Sequence, residues 1–254
     1  MAGGRHRARI GVLTMTMTLV AVAATPVLAA ASPRPLIVSL GFDDGRVSQA
    51  VVDGLLSARH LHATFFIISR QVNTGNDPES LTWPQVHRLA QDGNEIAGHT
   101  RTHPHLPTLT PAQQTAEICG GRQDLIAQGF HPISFAYPYG EFSPTTERIV
   151  RRCGYANGRG AWGGPETVPP ADRYAVQTLT NVTTSDSLAR LESYVNTARP
   201  GQWLNYVFHD VGDATPGGDQ YRIATRDFVT LLDWLVQQRH AGRIVVQTIG
   251  QVLH

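Results

Sequence analysis

The chain has 254 residues, 41% hydrophobic and 16% charged, a balance that excludes a disordered or fibrous protein and supplies one sizeable core. The formal net charge is +1, and Arg5, Arg7 and Arg9 are the only Lys, Arg, Asp or Glu among the first 31 residues, so the rest carries −2. No Lys/Arg-rich run follows residue 10, so nucleic-acid binding is not expected.

The N-terminus reads as an export signal. Arg5 to Arg9 form a basic region, Ile10 to Ala24 an apolar stretch, and Val27-Leu28-Ala29 or Ala29-Ala30-Ala31 a small-residue cleavage site. Residues 1–31 are thus expected to be a signal peptide, 32–254 the folded domain, and the product secreted. Thr14, Thr16, Thr18 and Pro26 disfavour a stable membrane-spanning helix.

Beyond the signal, apolar β-type runs alternate with helical patterns. Strands are expected at Leu36–Leu40, Thr64–Ile68, Asn94–Ala97, Ile133–Tyr137, Tyr174–Leu179, Leu204–Phe208 and Arg243–Thr248, with a weaker one at Tyr155–Asn157. Helices are expected at Val47–Ala58, Trp83–Gln91, Pro111–Gln128, Pro144–Arg152, Ser187–Ala198 and Thr225–His240. Thr82-Trp83-Pro84, Thr110-Pro111 and Ser143-Pro144 are helix starts, and Gly93, Gly129 and Gly154 are stops. Alternation of this kind implies a parallel sheet with helical cover, and seven or eight units fit a (β/α) barrel. The segments Arg159–Asp172 and Val211–Tyr221 are rich in Gly and Pro and read as irregular rim loops. Cys119 and Cys153 are the only cysteines, and in an exported protein the pair points to a disulfide.

The chemistry lies just after the strands. Asp43 and Asp44 follow the first, and two adjacent carboxylates raise each other's proton affinity unless a positive group intervenes. His99 and His103 follow the third strand, and their spacing would put both imidazoles on one side of a helical turn. Two neutral imidazoles and one carboxylate make a three-ligand metal site with an open position, leaving the second carboxylate for proton chemistry. His105 is a nearby competitor. Tyr137-Pro138-Tyr139-Gly140 ends the fourth strand, and His209 and Asp210 end a later one. In a parallel barrel these ends share one face.

These motifs resemble the polysaccharide deacetylases, the NodB-homology or carbohydrate esterase family 4 proteins. Phe42-Asp43-Asp44-Gly45 matches the first motif, His99-Thr100-Arg101-Thr102-His103 the second, Pro138-Tyr139-Gly140 the third, and His209 the late histidine. The resemblance covers roughly Pro35 to His254. It implies a distorted (β/α)7-8 barrel as a single catalytic domain. It implies a divalent metal, zinc or else cobalt, on Asp44, His99 and His103, with Asp43 as general base and His209 as general acid. It also implies a Tyr139 backbone N–H for the oxyanion. The implied substrate is an acetylated glycan such as chitin, chitooligosaccharide or peptidoglycan; the protein itself is expected to be a monomer. The same residues would serve an acetylxylan esterase, and loss of catalytic groups would leave a glycan-binding module.

Two departures stand out. The family often has Arg two residues before the third-motif Pro, where this chain has Ala136, so Asp43 needs another partner; Arg159 and Arg173 are the candidates. The fourth motif, centred on Asp-Trp, has only a loose echo in Asp172 with Trp162, so no residue is assigned to orient His209. Trp162 and Trp203 are candidate sugar-stacking aromatics, while Trp83 and Trp234 sit on helical patterns as packing residues. Asn181-Val182-Thr183 fits a glycosylation sequon, a short pattern common by chance.

Overall fold

The structure is a computed structural model describing residues 34–73, 78–213 and 219–253, with residues 1–4 and 11. The expected signal segment otherwise lies outside the described residues. The chain divides into Met1–Ser32 and Pro33–His254, and every described helix and strand belongs to the second unit. Among the described residues no helix is long and apolar enough to cross a membrane.

The strands are β1 (Leu36–Phe42), β2 (Thr64–Ile67), β3 (Glu95–Gly98), β4 (Arg159–Gly163), β5 (Val176–Thr178), β6 (Trp203–Phe208), β7 (Asp210–Val211), β8 (Arg222–Ile223) and β9 (Ile244–Val246). The helices are α1 (Gln49–Ser57), α2 (Trp83–Gln91), α3 (Pro111–Ala127), α4 (Pro144–Arg152), α5 (Leu188–Thr197), α6 (Thr225–His240) and α7 (Ile249–Leu253). β3, β2, β1 and β6 form a parallel sheet in that order. β9 pairs with the start of β1, and β2 with its end.

The ring then closes through single bridges. Gly98 of β3 bridges Phe135, Ala136 bridges Arg159 of β4, β4 pairs with β5, and Asn181 bridges Val207 of β6. The result is the distorted (β/α) barrel. The expected strand Ile133–Tyr137 is therefore not a regular strand. β3 stops where it begins and β4 begins where it stops, so each neighbour overlaps it by one residue. The weaker strand expected at Tyr155–Asn157 is absent, and β4 begins instead at Arg159, inside a segment expected to be irregular. The short β7–β8 ladder across the second rim loop, and α7, were not legible in the pattern.

The local sequence explains the helix starts. Thr82 and Thr110 accept from the backbone N–H three residues on, and Gln85 and Gln113 return the bond, with Pro in the first turn of each helix. Ser143 and Thr146 do the same for α4.

Alternation along the strands separates an outer core from an inner one, and a third cluster around Ile118, Phe135, Tyr137 and Val150 packs beneath α3 and α4. Val38, Leu40 and Phe42 of β1 and Leu204, Tyr206 and Phe208 of β6 face the helices. There Phe42 stacks between Phe65 and Phe208 at centroid distances of 5.0 and 5.3 Å. Phe66, Ala97, Ala136, Val176 and Trp203 fill the barrel interior. Trp203 is fully buried there and donates to Ser39 Oγ, so it is a floor residue and not a sugar platform. Cys119 of α3 and Cys153 at the end of α4 form a disulfide, with Cα atoms 4.9 Å apart. Its 34-residue separation corresponds to about 3–4 kcal/mol of stabilisation in the chain-entropy model.

Asp53 of α1 is buried and accepts from Asn94, while burial and the neighbouring Asp92 push its pKa up to about 6. A carboxyl whose folded pKa is raised binds its proton more tightly when folded. Its stabilisation is therefore full below the unfolded value near 3.9 and lost as pH rises through 6. Asp53→Asn is expected to raise stability by about 1 kcal/mol at pH 8, after allowance for screening, and to change it little at pH 4. Denaturant titrations at the two pH values check this; an equal gain at both would show a cause other than ionisation.

Candidate active site

β1 ends by delivering two carboxylates in different directions. Phe42 is the last strand residue, and Asp43 N–H still donates to the Phe208 carbonyl of β6 at 2.9 Å. Asp44 and Gly45 then take left-handed backbone conformations, with φ of 75° and 70°. Asp tolerates this region better than most residues, and Gly adopts it freely. Asp43 is thereby left against β6 and the barrel interior, while Asp44 faces β3.

The histidine loop after β3 is not the helical turn that the spacing suggested. Thr100 and His103 both have left-handed φ, 66° and 62°. Thr100 Oγ1 accepts from the His103 N–H at 2.9 Å. Glu117 of α3 accepts from the N–H groups of Arg101 and Thr102 and from Thr102 Oγ1. Gly121 allows α3 to press on this loop, since a Cβ there would stand 2.9 Å from the Thr100 carbonyl carbon.

The result is a triangle of donor atoms. Asp44 Oδ1 lies 3.6 Å from His99 Nε2 and 3.5 Å from His103 Nε2, and the two Nε2 atoms are 3.1 Å apart. Ligands about 2.0–2.2 Å from a tetrahedral ion stand about 3.3–3.6 Å from one another. Among the described residues this is the one cluster of three or more His, Cys, Asp or Glu able to hold an ion. The protonation pattern also fits. His99 Nδ1 is 2.8 Å from the Ala136 carbonyl, which only accepts, so Nδ1 carries the proton and Nε2 the lone pair. Burial, then the neighbouring His99, push His103 down to about 4 and keep it neutral at pH 7. Asp44 Oδ1 is buried without a hydrogen-bond partner among the described residues. Burial alone would raise the Asp44 pKa, but His99, His209 and His103 together hold it well below the usual carboxylate range. The other oxygen, Oδ2, accepts from Nε and Nη2 of Arg46 at 3.2 and 3.1 Å, leaving Oδ1 alone toward the histidines.

Asp43 is paired across the barrel. Arg159 of β4 donates through Nη2 to Asp43 Oδ1, with its guanidinium carbon 4.2 Å from the Phe66 ring centroid. The arginine is 1% exposed. Gly41 lets β1 and β6 approach closely beside this pair: a Cβ there would stand 3.3 Å from the Tyr206 carbonyl oxygen. Arg173, the other candidate, lies elsewhere and donates to the Leu253 carbonyl. Asp172 accepts from the Tyr174 N–H and takes no part in the cavity.

Asp43, Asp44, His99, His103, Tyr139, Trp162 and His209 line one cavity of about 560 Å³. Gln49, fully buried at the start of α1, donates to the Asp43 and His209 carbonyls at 2.6 and 3.0 Å and ties the ends of β1 and β6 together. Nothing in the sequence singled out Gln49, Arg46 or Glu117, because each acts through backbone or second-oxygen contacts that no motif encodes. Tyr139 has φ of 58°, and its ring stacks on His105 at 3.9 Å. His105 bonds Glu141 and stays outside the ligand triangle. Trp162, at the end of β4, is 55% exposed on the rim. Gly140 permits its approach, as a Cβ there would stand 2.7 Å from the indole.

Replacing Arg159 tests the buried pair. Arg159→Met is expected to lower kcat by about 10²-fold with KM within about two-fold, since the group lost acts on Asp43 and not on bound substrate. Arg159→Lys is expected to recover only part of the loss, because an ammonium lacks the planar fork. Steady-state kinetics of both variants check this; a loss confined to KM would place Arg159 in substrate binding instead.

Residues 31–158 match the family model described as Polysaccharide deacetylase. The chain is 31% identical over 113 residues to the peptidoglycan-N-acetylmuramic acid deacetylase PdaC of Bacillus subtilis, covering 42% of this chain and 22% of that protein. It is 37% identical over 83 residues to the chitooligosaccharide deacetylase of a Bradyrhizobium strain, covering 32% and 35% of the two chains. Thus the chain spans less than half the length of these curated relatives. Among solved structures it resembles a family 4 acetyl xylan esterase from Clostridium thermocellum in complex with a cobalt ion, with a TM-score of 0.60, 19% identity, and coverage of 85% of this chain and 89% of that one. At that identity the likeness speaks for the fold alone.

Proposed function

This chain belongs to the polysaccharide deacetylase family, and from that premise we propose that it is an exported, zinc-dependent hydrolase that removes N-acetyl groups from a glycan such as chitin, chitooligosaccharide or peptidoglycan. The observation that carries the reading is the division of labour in one cavity. Asp44, His99 and His103 turn donor atoms toward a common point, while the adjacent Asp43 is held apart by a buried arginine.

A divalent ion held by Asp44, His99 and His103 would supply Lewis-acid chemistry, polarising the acetyl carbonyl and making water easier to deprotonate. Asp43 takes the proton of the attacking water as its oxygen bonds to the acetyl carbon, and Arg159 keeps that carboxylate aimed. The Tyr139 N–H stabilises the oxyanion. His209 donates a proton to the nitrogen as the carbon–nitrogen bond breaks, releasing acetate and a free amine. Exposed Trp162 offers a face for a sugar ring beside the reacting group.

The relatives matched at 31% and 37% identity are named a peptidoglycan-N-acetylmuramic acid deacetylase and a chitooligosaccharide deacetylase, names that favour the amide over the ester. Acetate release from a panel of chitin oligomers, peptidoglycan and acetylxylan is the test. Release from an N-acetylated member is the expected result. Release from acetylxylan alone would replace the reading with an O-acetyl esterase, and binding without any release would leave a glycan-binding module.

A further inference from the structure

The reading of His209 as general acid leaves its second nitrogen unexplained. Nδ1 is buried and has no hydrogen-bond partner among the described residues, although the ring lines the cavity. An acid must present one nitrogen to the leaving group, and the bond made by the other decides which nitrogen that is. The neighbouring groups are otherwise engaged. Asp210, next in the chain, accepts from Ser48 Oγ and pairs with Arg222. Asp219 pairs with Arg46. The Tyr221 ring lies tilted beside the imidazole, with centroids 5.1 Å apart.

The register of the barrel brings forward a different residue. Asn181 forms a parallel bridge with Val207, and the adjoining Val182 N–H donates to the Val207 carbonyl at 2.8 Å. Bridged residues share a face of the sheet, and residues two apart on a strand share it as well. Asn181, Val207 and His209 therefore face the interior together, on the side opposite Tyr206 and Phe208. A diagonal neighbour of this kind stands about 7–8 Å away at the backbone, within reach of an amide and an imidazole extending toward each other. Asn181 also lines the cavity, and its Oδ1 is likewise buried without a hydrogen-bond partner among the described residues. An unpaired buried acceptor and an unpaired buried nitrogen thus line one cavity, the first on a residue bridged to Val207 and the second two residues beyond Val207. Left apart, each would bear an uncompensated desolvation cost.

We propose that Asn181 is the positioning residue of His209. Its Oδ1 accepts the Nδ1–H through one buried water, fixing the tautomer and aiming Nε2 into the cavity. This rests on the reading of His209 as the acid. It adds that the orienting group is an uncharged amide on the segment bridged to β6.

The test uses the full chain loaded with zinc and labelled with 15N in its imidazoles. Imidazole 15N shifts of the wild type are expected to show His209 as the Nδ1–H tautomer; the Nε2–H tautomer would overturn the proposal without any variant. In Asn181→Leu the tautomer preference is expected to be lost, and in Asn181→Asp, which keeps the acceptor, to be retained. Turnover gives a second readout. Asn181→Leu is expected to lower kcat on an N-acetylated chitin oligomer by about 10²-fold with KM within about two-fold. Its turnover of p-nitrophenyl acetate, whose leaving group needs no proton, is expected to fall by at least about ten-fold less than its amide turnover. Asn181→Asp is expected to restore amide turnover. Equal losses on amide and ester, or no loss on either, would reject the role. Wild-type protein that releases no acetate would reject the deacetylase reading, while the tautomer measurement would still judge the contact.

Discussion

Asp43→Asn is expected to lower acetate release by about 10²–10⁴-fold while the protein still binds one zinc ion per chain. The asparagine keeps an oxygen for Arg159 but has no lone pair basic enough to take a proton from water. Arg159 then remains buried beside a neutral partner, so some loss of stability accompanies the loss of rate. Far-UV circular dichroism and metal analysis separate the effects. A folded, zinc-loaded variant with wild-type turnover would remove Asp43 as the base. Loss of zinc together with activity would instead assign Asp43 to the ligand set, contrary to the geometry in which Asp44 turns to the histidines and Asp43 to Arg159.

His99→Ala is expected to abolish both zinc binding and turnover. His99 is 2% exposed, its Nδ1 proton is committed to the Ala136 carbonyl, and it supplies one corner of a three-atom triangle. Two donors hold zinc far more weakly than three, and Asp44 and His103 would face an apolar gap. Chelation of the wild type should silence it, with recovery on adding zinc or cobalt, whereas the variant should not recover. Metal content and acetate release measured on the same samples decide the matter. Full activity in metal-free wild type would sink the metal-dependent reading altogether.

How far the site was legible in the sequence depends on the kind of contact. The adjacent pair Asp43-Asp44, the spacing of His99 and His103, and the position of His209 at a strand end are local features, and the strand alternation placed them all on one rim. The fourth stave was harder. Ser134–Tyr137 meets each neighbour at a single bridge, so its apolar run suggested a longer strand than the staggered barrel allows. Arg159 looked like part of a Gly-rich loop because Gly158, Gly160, Gly163 and Gly164 surround it. Yet Gly158 leaves space for the Tyr137 hydroxyl, and the segment runs as a strand beside the third motif.

What the sequence alone determined was the inventory: an alternating α/β chain with two carboxylates, paired histidines and a late histidine after successive strands. Strand periodicity and turn chemistry are written within a few residues, so they can be read from one chain. Tertiary structure decided which oxygen faces what. It gave Asp44 Oδ2 to Arg46 and Oδ1 to the histidines, gave Asp43 to Arg159 rather than Arg173, and bridged Asn181 to Val207. Those choices depend on register between strands far apart in sequence, where a shift of one residue turns a side chain to the opposite face.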